Sequence, residues 1–175
     1  MSRIKKVIRN LIILVLLFIL YMMWAGLYLT PLLANEHSER SAHYGPSEVI
    51  HIENFDGGKY ILCKYDRWFS CNTVNRRLLF FWGSESQPTV FENDKTQKIA
   101  YTWYMTNQEY KAFGIINDDN ICKIVITLED GSIFTQTDLY DNLFLFTWKS
   151  NGNSKSFHSI SGYDIDNNVI FLQDF

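Results

Sequence analysis

The hydrophobic pattern divides the chain into two unlike parts. Residues 11–30, LIILVLLFILYMMWAGLYLT, run for twenty positions without a formal charge. A helix of that length covers the hydrocarbon core of a bilayer. Arg3, Lys5, Lys6 and Arg9 precede the run and are the only charges in the first 34 residues. Such a basic flank holds the N-terminus in the cytoplasm and places the chain beyond Pro31 outside. Pro31 reads as the helix stop, because its ring cannot continue the hydrogen-bond ladder. The pattern therefore predicts a cytoplasmic basic segment over 1–10 and a transmembrane signal-anchor helix over 11–34.

A cleaved signal peptide is the competing reading, but its apolar core spans only about 7–15 residues and ends in small side chains. Here Leu32-Leu33-Ala34 would put a bulky leucine three places before the cut. Leu11 and Leu20 lie within the apolar span, and Tyr21, Trp24 and Tyr28 fall on one helical side. Trp24 and Tyr28 suit the headgroup zone, where amphipathic rings collect. The lipid bilayer is thus the first expected partner.

Residues 35–47, NEHSERSAHYGPS, are polar, carry Gly45-Pro46 and show no apolar period. They read as a stalk. His37 and His43 sit there beside Glu36 and Glu39, in a spacing that matches no standard metal-ligand pattern.

From 48 to 175 the pattern changes to short β-branched and aromatic runs broken by turn residues. Strands are expected over 48–53, 59–65, 68–74, 77–82, 98–105, 110–116, 121–128, 132–137, 143–149, 156–163 and 168–173. In 98–105 the alternation is plain, with Ile99, Tyr101, Trp103 and Met105 on one face. Phe144, Phe146 and Trp148 share a face in the same way. Glu129-Asp130-Gly131 is a strong hairpin signal, and Asn151-Gly152-Asn153 marks another turn. Single helical turns are all that 94–97 and 106–110 can hold. The expected fold is mainly β: an N-terminal transmembrane helix followed by an antiparallel β-sandwich or half-open barrel.

Charge narrows the function. Of sixteen Lys and Arg, four lie before residue 35, leaving twelve against nineteen Asp and Glu, a net of −7. Nucleic-acid binding needs a basic footprint and is not expected. An acidic domain would also be repelled by anionic wall polymers unless cations bridged them.

Three cysteines, Cys63, Cys71 and Cys122, follow the anchor. Cys63 and Cys71 flank a turn and are candidates for a disulfide whose loop of about nine residues would contribute about 2–3 kcal/mol. The alternative is a pair of buried thiols packing as small hydrophobes. Cys122 shares the side of Ile124, Ile126 and Leu128 and reads as core. No CxxC spacing supports zinc or redox chemistry.

Catalytic signals are sparse. There is no GxSxG, no SxxK and no glycine-rich phosphate loop, and spacing gives Cys71 no support as a nucleophile with His51 or His158. Asp164–Asn168 opens like a calcium loop, but Val169 and Phe175 stand where glycine and glutamate are required. That segment, and 117–120, read better as turns with Asx hydrogen bonds. No cofactor or metal is expected. Trp68, Trp82, Trp103 and Trp148 either fill the core, the commoner fate of such rings, or form a contact surface where exposed.

Residues 110–131, YKAFGIINDDNICKIVITLEDG, and 161–171, SGYDIDNNVIF, resemble small single-pass membrane-anchored outer-surface proteins of Bacillus-type bacteria with no assigned function. The resemblance covers about the last 65 residues and implies an extracytoplasmic β domain on a single anchor, with no catalytic residues to carry over. Together these readings favour a non-enzymatic binding or accessory module acting on a membrane or surface partner, such as another membrane protein. A carboxylate-dependent surface hydrolase and a structural subunit recognised through its transmembrane helix are the alternatives.

Overall fold

The computed structural model describes residues 3–78, 80–84, 87–105, 109–149 and 156–175. The chain is mainly β, with antiparallel sheets that do not close into a barrel and one N-terminal apolar helix. By contact pattern it falls into two compact units. Unit 1 holds Met1–Ser47, Ile52–Ile61 and Asn72–Pro88; unit 2 holds Glu48–His51, Leu62–Cys71 and Thr89–Phe175.

Unit 1 begins with helix α1, Arg3–Trp24, long and apolar enough to cross a membrane and with none of its residues buried. It starts earlier than expected and stops earlier. The stop is a Schellman motif, in which Leu27 N–H donates to the Met22 carbonyl and Gly26 N–H to the Met23 carbonyl. Gly26 sits at φ 77, a backbone state that costs glycine little and a side-chain-bearing residue more. The expectation that the helix runs on to Pro31 is therefore corrected. Pro31 instead opens helix α2, Pro31–Ser41, with Thr30 as N-cap accepting from Leu33 N–H at 3.2 Å. Proline suits that first position, where its missing donor has no helical partner anyway.

Helix α2 also replaces the front of the expected stalk. Its buried face is Ala34, Asn35, Ser38 and Glu39, a helical spacing without an apolar stripe. Polar bonds hold it in place. Asn35 Nδ2 donates to Glu39 Oε1 at 3.1 Å, and the Ser47 hydroxyl donates to the same oxygen. Asn72 Nδ2 donates to Asn35 Oδ1 at 3.0 Å, and Ser84 Oγ donates to Asn72 Oδ1 at 3.0 Å. The Ser38 and Ser84 hydroxyls lie 3.1 Å apart. A buried polar helix face is tolerable only when satisfied in this way.

The strands follow as β1 Glu48–Phe55, β2 Gly58–Tyr65, β3 Trp68–Arg77, β4 Phe81–Ser84, β5 Thr89–Glu92, β6 Ile99–Met105, β7 Glu109–Ile116, β8 Lys123–Leu128, β9 Ile133–Gln136, β10 Leu143–Lys149, β11 Phe157–Tyr163 and β12 Val169–Asp174. One sheet has the order β1-β2-β3-β4, with β5 also pairing with β3. Two departures from the sequence reading occur here. The apolar run at 77–82 is not one strand, because β3 extends through Arg77 and the chain turns at Leu78. The short edge strand β5 was not foreseen. Residues 151–153 and 106–108 lie outside the described residues, and Glu109 and Tyr110 belong to β7 rather than to a helical turn.

Unit 2 contains the sheets β10-β7-β6 and β12-β11-β8-β9. Strand β7 pairs antiparallel with both neighbours, setting Gly114 opposite Phe144 on one side and Tyr101 on the other. Between the two sheets lies a core of Ile99, Tyr110, Ala112, Ile116, Phe144, Phe146 and Trp148 packed with Ile124, Ile126, Leu128, Phe157 and Ile160. Alternation places Lys111 and Phe113 on the other face of β7. There Phe113 meets Phe91 at 5.5 Å, and Phe91 meets Phe69 at 5.7 Å. Lys111 is buried in that layer, and its ammonium donates to the Cys71 carbonyl at 2.7 Å. Cys122, expected in the core, is only half-buried; the neighbouring Ile121 takes that place.

Candidate contact surface

The residues singled out from sequence separate by burial. Cys63 and Cys71 are fully buried and are not joined in a disulfide. Trp148 is core, whereas Trp68 and Trp82 are half-buried. Trp82 lies beneath cations, with Lys59 Nζ 5.8 Å and the Arg76 guanidinium 5.3 Å from its ring. Trp103 is 44% exposed. Leu11, Leu20 and Trp24 are exposed along α1, as an anchor requires, but Tyr28 is buried. The early helix stop turns Tyr28 into a strand-like residue whose N–H and carbonyl both bond Trp82, each at 2.7 Å.

Trp103 terminates a stack of rings that starts inside the core of unit 2. Tyr110 lies flat on Trp148 at 5.4 Å, and Trp148 stacks on Phe157 at 6.3 Å. Phe157 stacks on Trp103 at 6.4 Å and touches Phe175 at 5.2 Å. Tyr101 closes the group, 6.1 Å from Phe157 and 6.3 Å from Phe175. Strand β6 explains why the stack surfaces. Its inward positions lose cover stepwise, from buried Ile99 through half-buried Tyr101 to exposed Trp103 and Met105. Phe175, after edge strand β12, is exposed beside them. Burial raises the Tyr101 phenol to about 12, so it stays neutral and the patch carries no charge from it.

A cleft of about 610 Å³ also indents unit 2, lined by residues that include Lys64, Asp66, Arg67, Asn93, Asn117 and Asp119. Two of its polar side chains satisfy each other, and Lys64 and Arg67 pair with Asp141 and Glu92. Asn93 and Asn117 exchange amide hydrogen bonds at 2.9 and 3.0 Å, and Asn117 Nδ2 also lies within reach of the Gln97 carbonyl at 2.9 Å. Both carboxylates in its wall, Asp66 and Asp119, are exposed. A hydrolytic pair in a closed, desolvating pocket is therefore not what this cleft presents.

The acidic turns behave as the sequence suggests. Asp164 accepts from Asn168 Nδ2, from the Asn168 backbone N–H and from the Asp166 backbone N–H, which holds its carboxyl below the usual range. Asp118 is lowered likewise, chiefly by the Asn120 backbone N–H and then by its amide. Among the described residues no group of three His, Cys, Asp or Glu is placed to hold a metal ion. His51 stacks on Tyr140, His158 is exposed, and Cys71 is buried. No protein-family model matches the chain, and no curated protein or solved structure matches it either.

Proposed function

We propose that the protein is a single-pass membrane protein whose β domain lies outside the cytoplasm and binds a membrane or surface partner without catalysing a reaction. The carrying observation is the exposed end of the aromatic stack at Trp103 and Phe175. Rings supported from beneath by packed rings lose little entropy on binding, which is why such residues anchor interfaces. Helix α1 and the four basic residues at its start support the membrane placement and the cytoplasmic N-terminus. The resemblance to anchored surface proteins of Bacillus-type bacteria agrees with this reading.

The test is crosslinking in intact cells, followed by isolation of the tagged full-length chain with whatever it carries. One dominant partner is expected with the wild-type chain. Trp103→Ser is expected to reduce its recovery at least several-fold, while stability changes by no more than about 1 kcal/mol, as for an exposed site. Equal recovery with Trp103→Ser, or no partner above an unrelated anchored control, would overturn the proposal.

A further inference from the structure

The turn between β3 and β4 is unusual for a surface loop. Leu78 is 66% exposed and Phe80 57% exposed, in a segment where polar turn residues are the norm. Leu78 also sits at φ 39, a left-handed backbone that disfavours a leucine. Its carbonyl accepts from both Phe80 N–H and Phe81 N–H, at 2.6 and 3.0 Å. The tip is thus tightly turned and carries bulky apolar side chains outward.

Its neighbours within unit 1 indicate what covers it. Phe81, the next residue, packs its ring edge-on against Phe18 of α1 at 6.2 Å. Phe18 precedes Trp24 by six positions, about 9 Å along a helix axis. One residue beyond Phe81, Trp82 pairs through its backbone with Tyr28 and lies under Lys59 and Arg76. Arg76 and Arg77, both exposed, flank the tip on its other side. Across the hairpin Arg77 stands opposite Phe81 and Arg76 opposite Trp82, so the apolar tip projects beyond a level of paired aromatics and cations. That is the arrangement of a segment that dips through a headgroup layer.

We infer that the β3–β4 tip, through Leu78 and Phe80, inserts into the same bilayer that α1 spans, with Arg76 and Arg77 held at anionic headgroups. The inference rests on the reading of α1 as a membrane helix. The tip adds a second point of membrane contact to α1, which by its own length and apolar composition can cross a bilayer. It also ties the hairpin to the membrane surface, so that unit 1 does not hang on a free tether. Cations beside the tip add attraction to anionic lipid.

The experiment places the photoreactive residue p-benzoylphenylalanine in the full-length chain, reconstituted in vesicles of phosphatidylcholine and phosphatidylglycerol. The positions are Phe80, Leu78, Leu14 on α1, and Ile133, an exposed apolar residue on β9. Lipid adducts are read by mass spectrometry after illumination. Adducts are expected at Leu14, Phe80 and Leu78, several-fold above Ile133, and omission of phosphatidylglycerol is expected to lower those at 78 and 80 but not at 14. Adducts at Leu14 with none above the Ile133 level at 78 and 80 overturn the inference and leave the membrane helix standing. Absence of adducts at Leu14 overturns the membrane helix itself. The two probe positions at the tip guard against a local folding defect at either one.

Discussion

Gly114→Ala is expected to destabilise unit 2 by about 3 kcal/mol or more, the upper range for forced overpacking. Gly114 lies in β7, the central strand of the sheet β10-β7-β6. A Cβ there would fall 2.5 Å from the Ala100 carbonyl oxygen, 2.6 Å from the Phe144 ring and 2.6 Å from Tyr101 Cβ. Two of these atoms belong to backbone or to the root of a side chain and cannot swing away. Relief requires β6 and β7 to part, which also loosens the seat of Tyr101 under the aromatic patch. Gly131→Ala makes the control. Gly131 has φ 80 and nothing within 4 Å of its missing Cβ, so the cost there is backbone strain alone, about 1 kcal/mol. Chemical denaturation of the full-length chain in detergent, followed through the tryptophans, measures both. Similar midpoints for the two variants would mean that the strands are less tightly apposed than described.

The second large effect is at Glu39. This carboxylate is only 2% exposed and accepts from Asn35 Nδ2 and the Ser47 hydroxyl. Glu39→Leu takes that acceptor from the buried Asn35 amide and the half-buried Ser47 hydroxyl, and loss of an acceptor costs a buried donor about 1–3 kcal/mol. A total of about 3 kcal/mol is expected, concentrated on the docking of α2. Glu39→Gln keeps an acceptor oxygen at the same place and is expected to lose less than half as much. Hydrogen exchange at the α2 amides is the readout, since α2 would open before the sheets of unit 2. Unchanged protection in Glu39→Leu would show that the polar chain from Ser47 to Ser84 does not hold the helix.

These two sites differ in how far the sequence announced them. The β strands were legible as β-branched and aromatic runs broken by turn residues, with period-two alternation plainest at Ile99, Tyr101 and Trp103, whereas β3 and β10 are buried on both faces. Turns with a local chemical cause, such as Asp130-Gly131 and the Asx turn at Asp164, could be read as well. Helix α2 escaped because its inward face is Asn35, Ser38 and Glu39, which no hydrophobic period reveals. The local sign was present in Thr30-Pro31, an N-cap followed by proline at the first helical position, but it reads equally well as a stop for the helix before it. Gly26 lies inside the uncharged run 11–30, where no polar neighbour marks a helix end. Leu78, Phe80, Phe81 and Trp82 form a continuous apolar string that reads as a buried strand, and only the turn at Leu78 separates the exposed from the buried. The contact surface was half legible. Trp103 and Trp148 occupy similar strand positions, and their different fates depend on where β6 outruns the strands that cover it, a property of sheet pairing and not of local sequence.

The membrane placement is tested most directly by topology in intact cells of the full-length chain carrying an epitope after Phe175. External protease is predicted to remove the epitope without lysis, while the N-terminal fragment containing α1 resists extraction from membranes at alkaline pH. An epitope protected until the cells are broken would place the β domain on the cytoplasmic side, and release of α1 by alkaline extraction would remove the anchor; either result contradicts the account.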